Sequence, residues 1–388
     1  MQPDQWESPL QMLRDAQPKA GFEASGNDSY RLNVPDKGIS ICAELDSGLK
    51  RRWAVRNLTE LEHRCAELGG GCGRVAGLIP DRNLVLVVGD SGLGKSPLAY
   101  QLGVSVAAGV PFLGREVKQG RVLYLDYENG QAEVRDLISR LTVHLGVQTG
   151  TLGDGLLLWN FNDGPEDSKE GAGLEMMRCC KPDLVVVDSL SGYRPEIEEK
   201  NSIATRVLQE FRGLIRDIGC AVVLIHHIRK PSSKREEQPQ PLEEASLRQW
   251  FLQARGGRAL VNGSDVRLGL DEPRLARVCG EDAREHRPAL VLRGFGRVRG
   301  EIPTLYLARA LDDDGDPLGY VQVIGVDLLP HEQQEKYERL PPQFRFKQAK
   351  LTYGKGDQAT TDFLKKCEAL GILERVARGE YRKVGVAE

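Results

Sequence analysis

The sequence predicts an α/β fold built on a mainly parallel β-sheet with helices on both faces. Three observations predict it. From about residue 76 to 272, strand-like and helix-like segments alternate. The runs LVLVVG (84–89), VLYLDYE (122–128), LVVVDSL (184–190) and AVVLIHHI (221–228) are continuously apolar, the pattern of strands covered on both faces. The glycine-rich stretch GDSGLGKS then joins the first run to helix-like PLAYQLGVSVAAG, so the chain turns sharply from strand to helix there.

That turn fits G-x-x-x-x-G-K-[ST] through Gly89, Gly94, Lys95 and Ser96, with Asp90, Ser91, Gly92 and Leu93 as its variable arc. Glycines let the backbone curl around an anion and aim its N–H groups inward. The helix N-terminus adds unpaired donors and partial positive charge. Lys95 can reach the β- and γ-phosphates, and the Ser96 hydroxyl can ligate Mg²⁺. Pro97 falls in the first helical turn, where a missing N–H costs little. Residues 89–97 are therefore the expected binding segment for ATP with Mg²⁺.

Neighbouring strand ends must supply the rest, because ligands of open α/β sheets sit outside the carboxyl ends of the strands. Asp188 ends LVVVD and can hold Mg²⁺ beside Ser96. Ser189 follows it, so a second acid that could activate water is missing there and another strand must provide one. Glu128 is the first candidate and Asp126 the second. Strand alternation puts both on one side, with Glu128 nearer the open edge. His226 and His227 alternate across the next strand, and one of them can sense the γ-phosphate. Arg255, then Arg258, are candidates for an arginine inserted into a neighbouring copy's site. Arg267 is the third arginine of that stretch.

The 388-residue chain carries a net charge of −3, which excludes a general polycation. Nucleic-acid binding would need a local patch or a ring of copies. No apolar run reaches transmembrane length, and MQPDQWESPLQMLRD does not read as a signal peptide. The eight irregularly spaced cysteines suit a reducing cytoplasmic setting. His63, Cys65 and Cys72 lack the paired spacing of a zinc site. Residues 1–75 read as an N-terminal extension of unassigned role. YRLNVPDKGISICAEL there suggests a short hairpin, and NLTELEHRCAELGG a helix. The ATPase core with its C-terminal strands covers 76–330, and its DDDGDPLG reads as a hairpin turn.

The segments GDSGLGKS, VLYLDYEN, LVVVDSL, LIHHIRK and ARGGRALVNGSDVRL, in this order, resemble RecA-like P-loop ATPases of the RepA plasmid-helicase group over roughly 76–272. The resemblance implies a RecA-like core, ring-shaped hexamers and DNA unwinding driven by nucleoside triphosphates. It assigns Glu128 as the acid closing the second strand, Asp188 as the Mg²⁺ acid, His227 as the sensor and Arg255 as the inter-subunit arginine. Lys230 fits the lysine that follows the histidine pair in that group. The N-terminal extension and the C-terminal tail depart from a minimal ring of this kind.

In the tail, 342–388, Phe363, Leu364, Cys367 and Leu370 share a helical face, Asp357 is placed to cap the helix and Gly371 to end it. ILERVARGEYRKV reads as a hairpin turning at Arg378 and Gly379. Helix, helix and two-stranded wing resemble a winged helix. Gln358, Thr361, Lys365, Lys366 and Arg378 lie off the apolar face, where they could meet DNA; winged helices also serve as protein contacts. From 343 onward, ten Lys/Arg face six Asp/Glu. The expected function is an ATP-hydrolysing motor on DNA, with single strands in a central channel lined by the loop 229–248 through Lys230, Lys234 and Arg235. Glu236, Glu237, Glu243 and Glu244 oppose that role. The rivals are an ATP-gated DNA-binding regulator or loader and a recombinase-type filament.

Overall fold

A computed structural model describes residues 73–162, 172–229, 240–256, 258–273, 288–298, 301–323, 325–370 and 372–384. The hairpin and helix expected before residue 73, His63, Cys65, Cys72, Lys230, Lys234, Arg235, Glu236, Glu237 and Gly371 lie outside the described residues.

The chain order is β1 (Leu84–Gly89), α1 (Lys95–Ala108), β2 (Val122–Asp126), α2 (Gln131–His144), β3 (Leu156–Asn160), α3 (Ala172–Cys180), β4 (Leu184–Asp188), α4 (Asn201–Ile218) and β5 (Ala221–His227). It continues with α5 (Arg258–Gly263), β6 (Val266–Asp271), β7 (Pro288–Gly296), β8 (Leu305–Leu311) and β9 (Pro317–Val323). These strands form one sheet in the order β3-β2-β4-β5-β1-β6-β7-β8-β9. From β3 to β6 every pairing is parallel; β7, β8 and β9 extend it antiparallel. The mainly parallel α/β expectation holds.

Strand alternation divides the interior into two apolar layers. Val85 and Val87 of β1, with Leu184 and Val186 of β4, pack under α1 and α2. Leu84, Leu86 and Val88, with Val185 and Val187, pack under α3, α4 and α5. Each strand thus needs apolar residues at successive positions. In α4, Ala204, Val207, Leu208, Phe211, Leu214 and Ile215 line one buried stripe at helical spacing, and Gly219 ends the helix in the left-handed region at φ 80°.

Local departures have physical causes. β2 stops at Asp126, not 128, because the Asp126 carboxylate takes the N–H groups of Glu128 and Asn129 at 2.9 and 2.8 Å and bends the chain out of the ladder. β4 stops at Asp188, since Ser189 caps a helical turn at Leu190–Tyr193. The sequence reading passed over β3, a half-buried edge strand. Of the loop expected to project, residues 240–246 pack against the sheet instead: Leu242 is buried, and Glu243 accepts the Tyr306 hydroxyl at 2.8 Å.

The tail contains α6 (His331–Glu338), β10 (Gln343–Arg345), α7 (Phe346–Tyr353), α8 (Asp357–Ala369), β11 (Leu373–Ala377) and β12 (Glu380–Lys383). β12 lies between β10 and β11, antiparallel to both. Phe344, Tyr353, Phe363, Leu364, Cys367 and Tyr381 fill its core, which also takes in Leu329, Tyr337 and Leu340 from before residue 342. The cap differs from expectation. Gly356 is the N-cap, while Asp357 is already helical and pairs with Lys350 at 2.5 Å. No described helix is long and apolar enough to cross a membrane.

Candidate nucleotide and hydrolysis site

The glycine-rich loop lies between β1 and α1, as its sequence requires. Gly92 and Gly94 take φ of 75° and 99°, a conformation that side-chain-bearing residues rarely adopt. α1 then runs into the core, so Lys95 is only 5% exposed. Its Nζ donates to the carbonyl of Asp90 across the loop at 2.6 Å. Burial lowers the Lys95 pKa, opposed by the charges of Asp188, Glu128 and Asp90. Pro97 stands in the first turn of α1, as expected.

β2 and β4 pair in parallel with Asp126 directly beside Asp188. The two carboxylates are 2% and 1% exposed. Asp188 accepts the Tyr124 hydroxyl at 2.7 Å, and the Ser96 hydroxyl also bonds to it. Burial raises its pKa to about 6, with Asp126 and Glu128 adding repulsion. Asp126 accepts Tyr100 Oη at 2.6 Å and Asn129 Nδ2 at 2.9 Å, besides the two backbone N–H groups. The Tyr100 and Tyr124 rings stack 3.8 Å apart beneath these acids. Asp126 is thus fully engaged, and its bonds shape the turn that carries Glu128.

Glu128 is more open. His227 Nε2 lies 3.0 Å from its Oε1, and Ser189 bonds to the same carboxylate. The His227 hydrogen bond, aided by Ser189 and the charge of Lys95, lowers its pKa to about 2 against the effect of partial burial. His227 Nδ1 is buried without a partner. His226 points the other way: Nε2 meets Arg255 O at 2.9 Å and Nδ1 meets Ser191 Oγ at 3.3 Å. Ser191 also donates to Glu198 at 2.7 Å, and Glu198 lies 3.9 Å from Arg255. The histidines thus join the end of β5 to two different segments, as strand alternation anticipates.

Lys95, Ser96, Asp188, Glu128 and His227 converge. Arg255 bears electrostatically on Lys95 of its own chain, and its Nε donates to Ile228 O at 3.1 Å. Arg258 opens α5 and is exposed. Arg267 is structural: Nε and Nη2 donate to Val261 and Asn262 carbonyls at 2.6 and 3.1 Å, and its guanidinium lies over Phe295. Sequence reasoning missed Tyr100, Tyr124, Ser189, Ser191 and Glu198. Only Tyr124 left a signal there, two positions before Asp126 and so on the same strand face.

The donor set fits a divalent cation and a polyphosphate. Buried Asp126 and Asp188, with Glu128 nearby, concentrate negative charge beside the Ser96 hydroxyl, and the Lys95 ammonium lies across the same loop on the Asp90 carbonyl. Among the described residues no cluster of three or more His, Cys, Asp or Glu is placed to hold a metal ion.

Residues 73–233 match the family described as "AAA domain". The match takes in the loop, Glu128, Asp188 and both histidines, and ends before Arg255. The chain is also similar to a solved structure described as the RadB recombinase, at 18% identity and TM-score 0.41, covering 66% of this chain and 95% of that one. The matched segment carries the glycine-rich loop between β1 and α1 of a mostly parallel α/β sheet, and over these residues the chain is similar to that ATPase family.

Proposed function

We propose that the protein is a RepA-type, ATP-hydrolysing RecA-like motor that acts on DNA as a ring of copies, a hexamer by its resemblance to that group. The observation that carries this reading is the convergence of Lys95, Ser96, Asp188 and Glu128, with His227 hydrogen-bonded to Glu128. The loop N–H groups and Lys95 bind the phosphates. Ser96 and Asp188 would hold Mg²⁺, which supplies charge neutralisation on the phosphate oxygens. Glu128 orients the attacking water. A carboxylate with a pKa of about 2 is a weak proton acceptor, so in this arrangement it positions water more than it deprotonates it. His227, holding Glu128 through one nitrogen and having the other unpartnered, suits a sensor that exchanges Glu128 for phosphate. Arg255 is the proposed arginine for transition-state charge, in cis by its proximity to Lys95 or in a neighbouring site by analogy with the RepA group.

The order α6, β10, α7, α8 and the β11–β12 hairpin, with β12 central, supports a winged-helix reading of the tail. Gln358 and Lys365 of α8 are exposed. One observation favours a protein-contact role for this module: Gln358 Nε2 donates to Asp362 at 3.0 Å, which sets a carboxylate within the face that would approach phosphates.

The test is ATP hydrolysis by the full chain, with and without single-stranded and duplex DNA, beside its mass by light scattering. Stimulation by single strands in a ring-sized oligomer supports the motor. A monomer whose hydrolysis ignores DNA rejects it.

A further inference from the structure

We propose that Arg309 and Tyr320 form the nucleoside-side contact of the phosphate loop and receive the α-phosphate and ribose of a bound nucleotide. The inference rests on the nucleotide-binding reading above and adds two residues far from every motif that supports it.

β8 and β9 pair antiparallel with Arg309 directly opposite Tyr320, so both side chains leave the same face of the sheet. Arg309 hydrogen-bonds the Tyr320 hydroxyl. Arg309 is exposed, and the Tyr320 hydroxyl is its partner among the described residues. A planar guanidinium with free donors therefore stands beside the loop, suited to phosphate and ribose oxygens.

Tyr320 reaches the loop itself. A methyl group at Gly94 would collide with its hydroxyl. The tyrosine is held there with care. Gln101 Nε2 donates to Tyr320 O at 2.8 Å, and Tyr320 N–H donates to Gln101 Oε1 at 2.8 Å. His144 Nε2 lies 3.2 Å from the same carbonyl. Gln101 belongs to α1 and is 1% exposed. The helix that follows the phosphate loop thus grips the strand that carries Tyr320.

The direction of the ligand follows from the sheet. β1 is flanked by β5 on one side and β6 on the other. Asp188, Glu128 and His227 come from β4, from beyond β2 and from β5, all on the β5 side. A nucleotide whose terminal phosphate faces Glu128 sends its nucleoside end across Gly94 to the other flank. There the antiparallel extension brings Tyr320 and Arg309.

The experiment measures equilibrium binding of ADP and of pyrophosphate, each with Mg²⁺, to the full chain. The proteins are the unsubstituted chain, Arg309→Ala, Tyr320→Phe and Lys95→Ala. A thermal melt of each variant checks the fold. Arg309→Ala should weaken ADP about 10- to 50-fold, as expected for loss of a charge-assisted contact, and leave pyrophosphate within about twofold. Tyr320→Phe should show the same preference with a smaller loss. Equal weakening of both ligands, or of neither, overturns the assignment. If the unsubstituted chain binds neither ligand, or Lys95→Ala binds both as well as it does, the nucleotide reading itself fails and takes this contact with it.

Discussion

The flank of the phosphate loop and the C-terminal tail are built on opposite principles. Around the loop, Lys95, Asp126, Asp188, Ser189 and His226 are all buried, and each is engaged in hydrogen bonds or charge interactions. In the tail the interior is apolar and aromatic: Tyr353 stacks on Phe363 at 4.5 Å, and Phe344 on Tyr381 at 5.8 Å. Buried Thr360 there simply donates back to Gly356 O at 3.0 Å. Burying charged groups is unfavourable unless something compensates them. The first region accepts that cost, and its excess of carboxylates matches a charge brought by a ligand. The second is organised mainly by apolar and aromatic packing, with buried Lys383 meeting the Glu338 carbonyl and the Tyr337 ring.

The comparison can be broken or sharpened by substitution. Glu128→Gln should slow turnover about 10²- to 10⁴-fold, the range for loss of acid–base assistance, with ADP affinity little changed; phosphate release and calorimetry read the two separately. Lys95→Ala should lower turnover about 10²- to 10³-fold, the scale of a lost charge-stabilising donor. Because burial is what depresses the Lys95 pKa, its melting temperature should hold or rise. A large drop would mean that the loop flank relies on this lysine for folding. Asp126→Asn should cost about 10- to 100-fold in kcat, as outer positioning residues do, with KM nearly constant. An unchanged kcat would reduce Asp126 to a packing role.

The tail should answer in the other currency. Phe363→Ala should destabilise it by about 3–5 kcal/mol, the usual range for a truncated core aromatic, seen in denaturant unfolding, while hydrolysis in the absence of DNA stays within about twofold. Parallel loss of hydrolysis would show that the two regions are not independent. Lys365→Ala is the smallest change: stability within about 0.5 kcal/mol, and a duplex-binding salt slope reduced by about 1 if the winged helix meets phosphate. An unaltered slope would favour the protein-contact role.

Much of the site was legible because its elements are local. Gly89 to Ser96 form one contiguous motif, and continuous apolar runs announced the central strands. Residues that act through distant partners were not legible. Asp126 read as a second candidate base; only its bonds to Tyr100, Asn129 and the Glu128 N–H reveal that it builds the turn. Arg267 read like its neighbours, yet it is bound to the carbonyls of α5. Asp357 read as a cap, yet Gly356 holds that position and the Asp357 carboxylate pairs with Lys350 of the preceding helix.

By itself, the sequence determined the alternating α/β core, the phosphate loop and the strand ends that supply Asp188 and the histidine pair, with Glu128 just past β2. These depend on backbone conformation and on apolar periodicity, which act over a few residues. Only the tertiary structure decided that His227 holds Glu128, that stacked tyrosines support the buried acids, and that Tyr320 meets Gly94 from the far edge of the sheet. Those pairings join positions from 24 to more than 200 residues apart. Sheet order and helix packing select them, and no local rule of propensity or spacing contains that information.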